Sequence, residues 1–377
     1  MSAWPGKYVI GLTGNIATGK SVVRKMLEHL GAYGIDADAL AHRAIGKEAP
    51  GYKPVVETFG TWILAPDGQV DRSRLGNIVF SAPDALTRLE AIVHPMVGKA
   101  VDLLIGRAAQ EVVVLEAIKL LESGLAEACD CIWVTVASEE AQLARLINKR
   151  GMDEKTALGR IRAQPPQEDK IAAAQVVIRN EGSIEETWQK VLAAWRETVP
   201  GSRAQVEQPP AAAQKDILVE RARLNQAEEI AGFINRHSRG RHKPSREDII
   251  ADFGEKAFML LRKDGRLIGL AGWQVENLVA RTSDVYLEPG ISLEKAVTLL
   301  MLEVEGASRQ LQCEVSLLFL PPNLARHENI WQNLRYQART IQSLKVRAWQ
   351  EAAEESIPAG TVMLFKQLRR DRVLRPV

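Results

Sequence analysis

Little in this 377-residue chain suits a membrane, an oxidising compartment or a nucleic-acid backbone. Cysteine is scarce: Cys129, Cys131 and Cys313 are all there is. Three thiols build no disulfide framework, and such sparing use fits a reducing compartment. Cys129 and Cys131 stand two apart where a buried strand begins, so they read as core thiols and not as a metal pair. No apolar run approaches the roughly 18 residues that a membrane helix needs. The opening "MSAWPGKYVIGL" lacks the basic start and apolar centre of a signal peptide. Charge of one sign is also missing, since 49 Lys and Arg against 47 Asp and Glu leave +2. That is too small a surplus to neutralise a polyphosphate backbone. The basic stretch "KQLRRDRVLRPV" reads as a solvated tail. These absences predict a cytoplasmic protein with no membrane and no nucleic-acid partner.

What is present is an ordinary globular composition, 46% hydrophobic and 25% charged, with length enough for two domains. No internal repeat stands out. The sharpest shift in composition lies in "TVPGSRAQVEQPPAAAQK", which has neither a helical nor a strand period. It divides the chain into a first domain (1–197), a linker (198–215) and a second domain (216–377).

In the first domain, "YVIGL", "AYGID", "EVVVLEA", "CIWVTVA" and "AQVVIRN" are short and almost wholly apolar. Such strands belong to a parallel sheet covered on both faces. Between the first two, Val23, Met26, Leu27 and Leu30 recur at helical spacing and Gly31 ends the helix, giving a βαβ unit. Residues 38–110 read as a helical insertion, and 138–170 as a charged helical segment. The second domain reads as α+β on a largely antiparallel sheet, with a hairpin turning at Asp264-Gly265 and a long helix over 292–312.

"GLTGNIATGKS", residues 11–21, fits G-x-x-x-x-G-K-[ST] directly after a strand and at the opening of a helix. Glycines let such a loop wrap closely, so successive backbone N–H groups point at phosphate oxygens. The helix adds its positive end. Gly14, Ala17, Thr18, Gly19, Lys20, Ser21 and Val22 are therefore assigned to ATP, with Lys20 reaching the β and γ phosphates and the Ser21 hydroxyl ligating Mg²⁺. "GIDADALAH" follows the second strand. A carboxylate there opens onto the same sheet edge as the loop. Asp38 can accept a proton from an attacking hydroxyl and Asp36 can orient Mg²⁺ through water, or both aspartates can cap the next helix. Gln142, Arg145, Lys149, Arg150, Arg160 and Arg162 suit a lid over the nucleotide, and Arg145, beside Leu146, breaks the exposed pattern.

Taken in order, "GLTGNIATGKS", "IDADALAH", "VHP", "LLESGLAE", "QLARL" and "VIRNEGS" resemble dephospho-CoA kinase over about residues 7–197. The resemblance implies phosphorylation of the ribose 3′-hydroxyl of dephospho-CoA by ATP, the last step of CoA synthesis. It implies a P-loop NTPase sheet with a helical acceptor insertion and a lid. It places Asp38 as the base, Asp36, His94, Leu120 and Leu121 toward the acceptor, Arg145 in the lid and Asn180 near the adenine. His94 alone, before Pro95, reads equally as partner to a helix break. The chain departs from the family pattern where Asn15 and Ala17 replace glycines, where Lys119 replaces a proline, and where Lys149-Arg150-Gly151 replaces Arg-Asp-Gly. Strain at positive φ is expected at Ala17 more than at Asn15.

The order of elements in the second domain resembles a GNAT-type N-acetyltransferase. In that fold a glycine-rich loop at a helix N-terminus holds the cofactor pyrophosphate. The matching stretch, "LEPGISLEKAVTLL", has Gly290 alone and sets Glu294 where phosphate would approach. A GNAT-like domain that has lost this binding, serving as an interaction, dimerisation or regulatory module, is the expectation. Rival readings are another P-loop small-molecule kinase, a nucleotide-binding sensor, and an active acetyltransferase with an altered loop.

Overall fold

The computed structural model describes residues 3–201, 217–238, 240, 242–371 and 373–374. From residue 202 onward the expected linker lies outside the described residues. The first domain is built on five parallel strands: β1 (Tyr8–Gly14), β2 (Tyr33–Asp36), β3 (Val112–Glu116), β4 (Cys131–Val136) and β5 (Val176–Arg179). Their order across the sheet is β2-β3-β1-β4-β5. Every residue of β3 and β4 is buried, as the unbroken apolar runs require of a sheet covered on both faces.

Helices α1 (Lys20–His29) and α9 (Ile184–Thr198) cover one face, packing Val23, Met26, Leu27, Val191 and Trp195 against Trp133. The other face carries the helical insertion: α2 (Ala37–Ala44), α3 (Tyr52–Phe59), α4 (Arg72–Ser81) and α5 (Pro83–Arg107). The expected break at His94-Pro95 does not occur, because α5 runs through Pro95. Proline removes one backbone bond, but Val93, Val97, Ala100, Val101 and Leu104 remain buried along one stripe and hold both halves on the sheet. Helices α6 (Glu139–Arg150), α7 (Glu154–Arg162) and α8 (Gln167–Ala173) form the segment between β4 and β5.

The second domain adds β6 (Ile217–Arg221), helices α10 (Ala227–His237) and α11 (Arg246–Asp252), and strands β7 (Ala257–Lys263), β8 (Arg266–Glu276) and β9 (Val279–Leu287). Then come α12 (Leu293–Gln310), β10 (Val315–Leu320), α13 (Pro322–Ala325), α14 (Glu328–Asn333), β11 (Gln337–Ala338), α15 (Arg347–Glu354) and β12 (Val362–Gln367). Strand order is β11-β12-β10-β9-β8-β7-β6. The sheet is antiparallel as expected except between β9 and β10, which run parallel from Val279↔Val315 to Thr282↔Leu318. The β7–β8 hairpin turns at Asp264 and Gly265, with φ of 50° and 78°. A second two-residue turn joins β8 to β9 at Asn277 and Leu278 (φ 51° and 62°). Its tip reaches the first domain, where Leu278 joins a core cluster with Tyr33, Leu40 and Leu104. Among the described residues no helix is long and apolar enough to cross a membrane.

Candidate active site

The loop between β1 and α1 is shaped by two glycines. A Cβ on Gly14 (φ 149°) would stand 2.4 Å from the Thr135 carbonyl oxygen, and one on Gly19 (φ 97°) 2.0 Å from Asn180 Nδ2. Larger residues would fill the hollow or displace its walls. Ala17 adopts φ 57°, the strained conformation expected of it, whereas Asn15 is not among the residues at positive φ. Asn15 instead donates from Nδ2 to the Pro165 carbonyl (2.8 Å), and Ile16 N–H donates to Gln164 Oε1 (2.6 Å), so the segment after α7 rests on the loop. Thr18 braces the interior through Asn15 O (2.9 Å) and Thr135 Oγ1 (2.8 Å).

No side chain caps α1 at Gly19. Its first N–H groups and its positive end are therefore available to an anion. Lys20 is buried and arches back, donating Nζ to Gly14 O (3.0 Å) and Asn15 O (3.1 Å). Burial lowers its pKa, opposed by the charges of Glu116 and Asp38. Ser21 exposes its hydroxyl, which donates to Glu116 Oε1 (3.0 Å). The Val22 side chain is half-buried on α1 and lies beside Gly254 of the second domain.

The aspartates that follow β2 separate in role. Asp36 is the N-cap of α2, its Oδ1 accepting from Ala39 N (2.8 Å). Burial and the neighbouring Glu116 raise its pKa to about 6, with Arg24 at 4.0 Å opposing. Asp38 lies in the first turn of α2, and its Oδ2 accepts from Ile118 N (3.0 Å) in the segment beyond β3. Burial raises its pKa against that bond and the charge of Lys20. Asp38 thus stands on the same sheet edge as the loop.

Two side chains at this edge are not singled out by motif spacing. Glu116 ends β3 and takes both Ser21 and Arg24 Nε (2.6 Å). Its signal was available: a carboxylate closing an otherwise apolar strand. Lys170, buried on α8, donates to Ile118 O (2.8 Å), so Ile118 holds Asp38 by its N–H and Lys170 by its carbonyl.

The expected lid cations divide. Arg145 donates to Ala17 O (2.9 Å) and Asn180 O (2.6 Å), clasping the phosphate loop from outside. Lys149 stands 3.9 Å from Glu255 of the second domain, and Arg162 pairs with Glu139 (3.0 Å). Gln142 is buried and donates to Ala137 O. The Asn180 side chain is committed at both ends, donating to Thr18 O (2.9 Å) and accepting from Thr187 Oγ1 (3.0 Å), so it braces the loop. Leu120 is fully buried and belongs to the core, while Leu121 is half-buried against it. His94 is exposed on α5. It lies one turn after Glu90, which pairs with Lys119 (2.7 Å) and so ties that face of α5 to the 118–122 segment.

The sequence model of the dephospho-CoA kinase family, CoaE, matches residues 8–186. The chain is 44% identical to the dephospho-CoA kinase of Geobacter metallireducens over 194 residues, 51% of this chain and 96% of that protein. It is 45% identical to that of Streptomyces avermitilis over 191 residues, 50% of this chain and 93% of the relative. Among solved structures it is similar to TT1252 from Thermus thermophilus, with 33% identity and a TM-score of 0.47, covering 52% of this chain and 99% of that one. It is also similar to the PaiA N-acetyltransferase of Thermoplasma acidophilum in complex with coenzyme A, with 12% identity and a TM-score of 0.31, covering 41% and 99%. Nearly the whole length of those kinases finds its counterpart in this chain, and the family match spans the phosphate loop, both aspartates, Glu116 and Arg145: the chain belongs to the dephospho-CoA kinase family.

Proposed function

We propose that residues 1–197 transfer the γ-phosphoryl group of ATP to the ribose 3′-hydroxyl of dephospho-CoA, giving CoA and ADP. The observation that carries this reading is the placement of Asp38 on the sheet edge that holds Lys20, close enough for each charge to move the other's pKa. The uncapped α1 terminus, the two glycines and Lys20 form the cradle for the nucleotide phosphates. When bound, Mg²⁺ supplies charge neutralisation on the β and γ phosphates, and Ser21 Oγ, with Glu116 and Asp36 behind it, is the donor set that suits it.

Asp38 is the proton acceptor. The 3′-hydroxyl oxygen attacks the γ-phosphorus, its proton passes to Asp38, and the bond to the β–γ bridging oxygen breaks as ADP leaves. The bond from Ile118 N fixes the carboxylate while burial keeps it more basic than a solvated aspartate. Arg145, Thr18 and Asn180 fix the loop that the phosphates meet. His94, one helical turn from Glu90, and Leu121, two residues from Lys119, are assigned to the acceptor's side. Steady-state phosphorylation with dephospho-CoA against nucleosides and shikimate tests the acceptor. Dephospho-CoA is expected to be preferred by orders of magnitude, and equal rates would reject the assignment.

The second domain is read as non-catalytic. Ser292 caps α12 by accepting from Lys295 N (3.4 Å), and exposed Glu294 lies in the helix's first turn. The amides that would take a pyrophosphate are partly occupied, and a carboxylate repels it there. Hydrogen exchange at residues 288–300 is expected to be unchanged by acetyl-CoA. Protection there would restore the acetyltransferase reading.

A further inference from the structure

The β8–β9 hairpin tip is seated against the two helices that carry the kinase site. On α1, Lys25 donates Nζ to Val275 O (2.6 Å). On α2, Arg43 donates to Asn277 O (2.7 Å) and to the buried Glu314 (2.6 Å). Lys25 lies one turn beyond Ser21 and Arg43 somewhat more than one turn beyond Asp38, so the tip holds each helix just behind its working residue.

The turn itself is locally unfavourable. A two-residue hairpin of this shape favours Asn-Gly, and here a leucine occupies φ 62°. Its side chain is 9% exposed, in the cluster that contains Tyr33, Leu40 and Leu104 of the first domain. The seat in the other domain, and not the turn's own preference, accounts for the leucine. Polar contacts continue inward from the same place. Glu28 accepts from Lys25 (2.9 Å) and Arg24 (2.7 Å), and Arg24 in turn binds Glu116, the partner of Ser21. Arg221 of β6 adds a bond to Glu28 O (3.4 Å).

We propose that the hairpin tip of the second domain is a positioning element of the kinase site, setting α1 against α2 and so the phosphate loop against Asp38. The inference rests on the kinase reading above. Lys25, Arg43 and Leu278 are positioning residues within it.

The test uses the full chain. Leu278→Gly improves the turn and empties the seat; Arg43→Met releases α2. Each is expected to lower kcat with dephospho-CoA about tenfold or more, the scale of a sub-ångström to 1 Å misplacement. The Kd for ATP measured without acceptor should stay within about twofold, because Arg145 and Asn180 clasp the loop from elsewhere. Arg43→Lys should recover part of the loss. Arg72→Met, which breaks the exposed pair with Glu351 across the same two domains, should leave kcat unchanged. Wild-type kcat in both Leu278→Gly and Arg43→Met would overturn the proposal. So would parallel loss of kcat and ATP affinity, the mark of general loosening. A wild-type chain that cannot phosphorylate dephospho-CoA would overturn the kinase reading itself, and this inference with it.

Discussion

Asp38 lies just beyond β2 and Glu116 closes the neighbouring β3, and their partners suit the two carboxylates to different work. Glu116 is hydrogen-bonded by Ser21 and Arg24, so it is held as an acceptor. Asp38 accepts from one backbone N–H and is kept basic by burial. Asp38→Asn is expected to cut turnover at least about 10²-fold while equilibrium titration still finds ATP bound. If Asp38 is the base proposed above, it must be ionised, and the acid limb of kcat/KM should lie above the ordinary aspartate range. It should rise as pH climbs through the raised pKa of Asp38. Glu116→Gln should raise the Mg²⁺ concentration needed for half-maximal rate, read from a metal titration. The placement of Asp38 on the sheet edge was legible in the sequence, because a position just after β2 follows from topology. Glu116 carried a weaker signal, a carboxylate closing the apolar run "VVVLE", and its role shows only when β3 is seen beside β1, where that carboxylate meets Ser21.

In the proposed reading, nucleotide affinity rests on the phosphate loop and its clasp. Arg145→Met removes the bonds to Ala17 O and Asn180 O, and is expected to raise the KM for ATP about tenfold with a smaller fall in kcat, since a charged group's hydrogen bonds contribute about 1.5–3 kcal/mol. Ala17→Gly relieves φ 57° and should raise the melting temperature, by a net stabilisation below about 1 kcal/mol once the greater freedom of the unfolded glycine is counted. At this scale the sequence was a good guide wherever local chemistry decides. It gave the loop, the α1 spacing, and the Asp264-Gly265 turn. It misled at Pro95, where packing along α5 outweighs one lost bond. It was silent on the Asn277-Leu278 turn and the parallel β9–β10 pair, because both are fixed by contacts distant in sequence.

Across the whole molecule, the two domains meet through buried groups as well as exposed pairs. His29 of α1 donates from Nε2 to Phe253 O (3.0 Å) and packs edge-on against Trp188 and Phe253. Burial, reinforced by Arg221, holds its pKa down at about 3. The unfolded chain protonates this histidine below about 6.5, so its contribution is present above that pH and fades as pH falls toward 3. Thermal unfolding should therefore show the wild type losing stability relative to His29→Gln between about pH 6.5 and 5. Glu28, held near 2 by Lys25 and Arg24, adds its own loss only below about 4.5. A constant difference across that window would remove His29 from the account. None of this meeting was legible in the sequence, which marks the two domains by composition and says nothing of their faces. Phosphoryl transfer itself can be watched by phosphorus NMR of the full chain with MgATP and dephospho-CoA. A new 3′-phosphomonoester is expected to appear one-for-one with ADP, and to be nearly absent when Asp38→Asn replaces the wild type. ADP formed without a phosphorylated acceptor, or an Asp38→Asn chain as fast as the wild type, would contradict the proposed transfer.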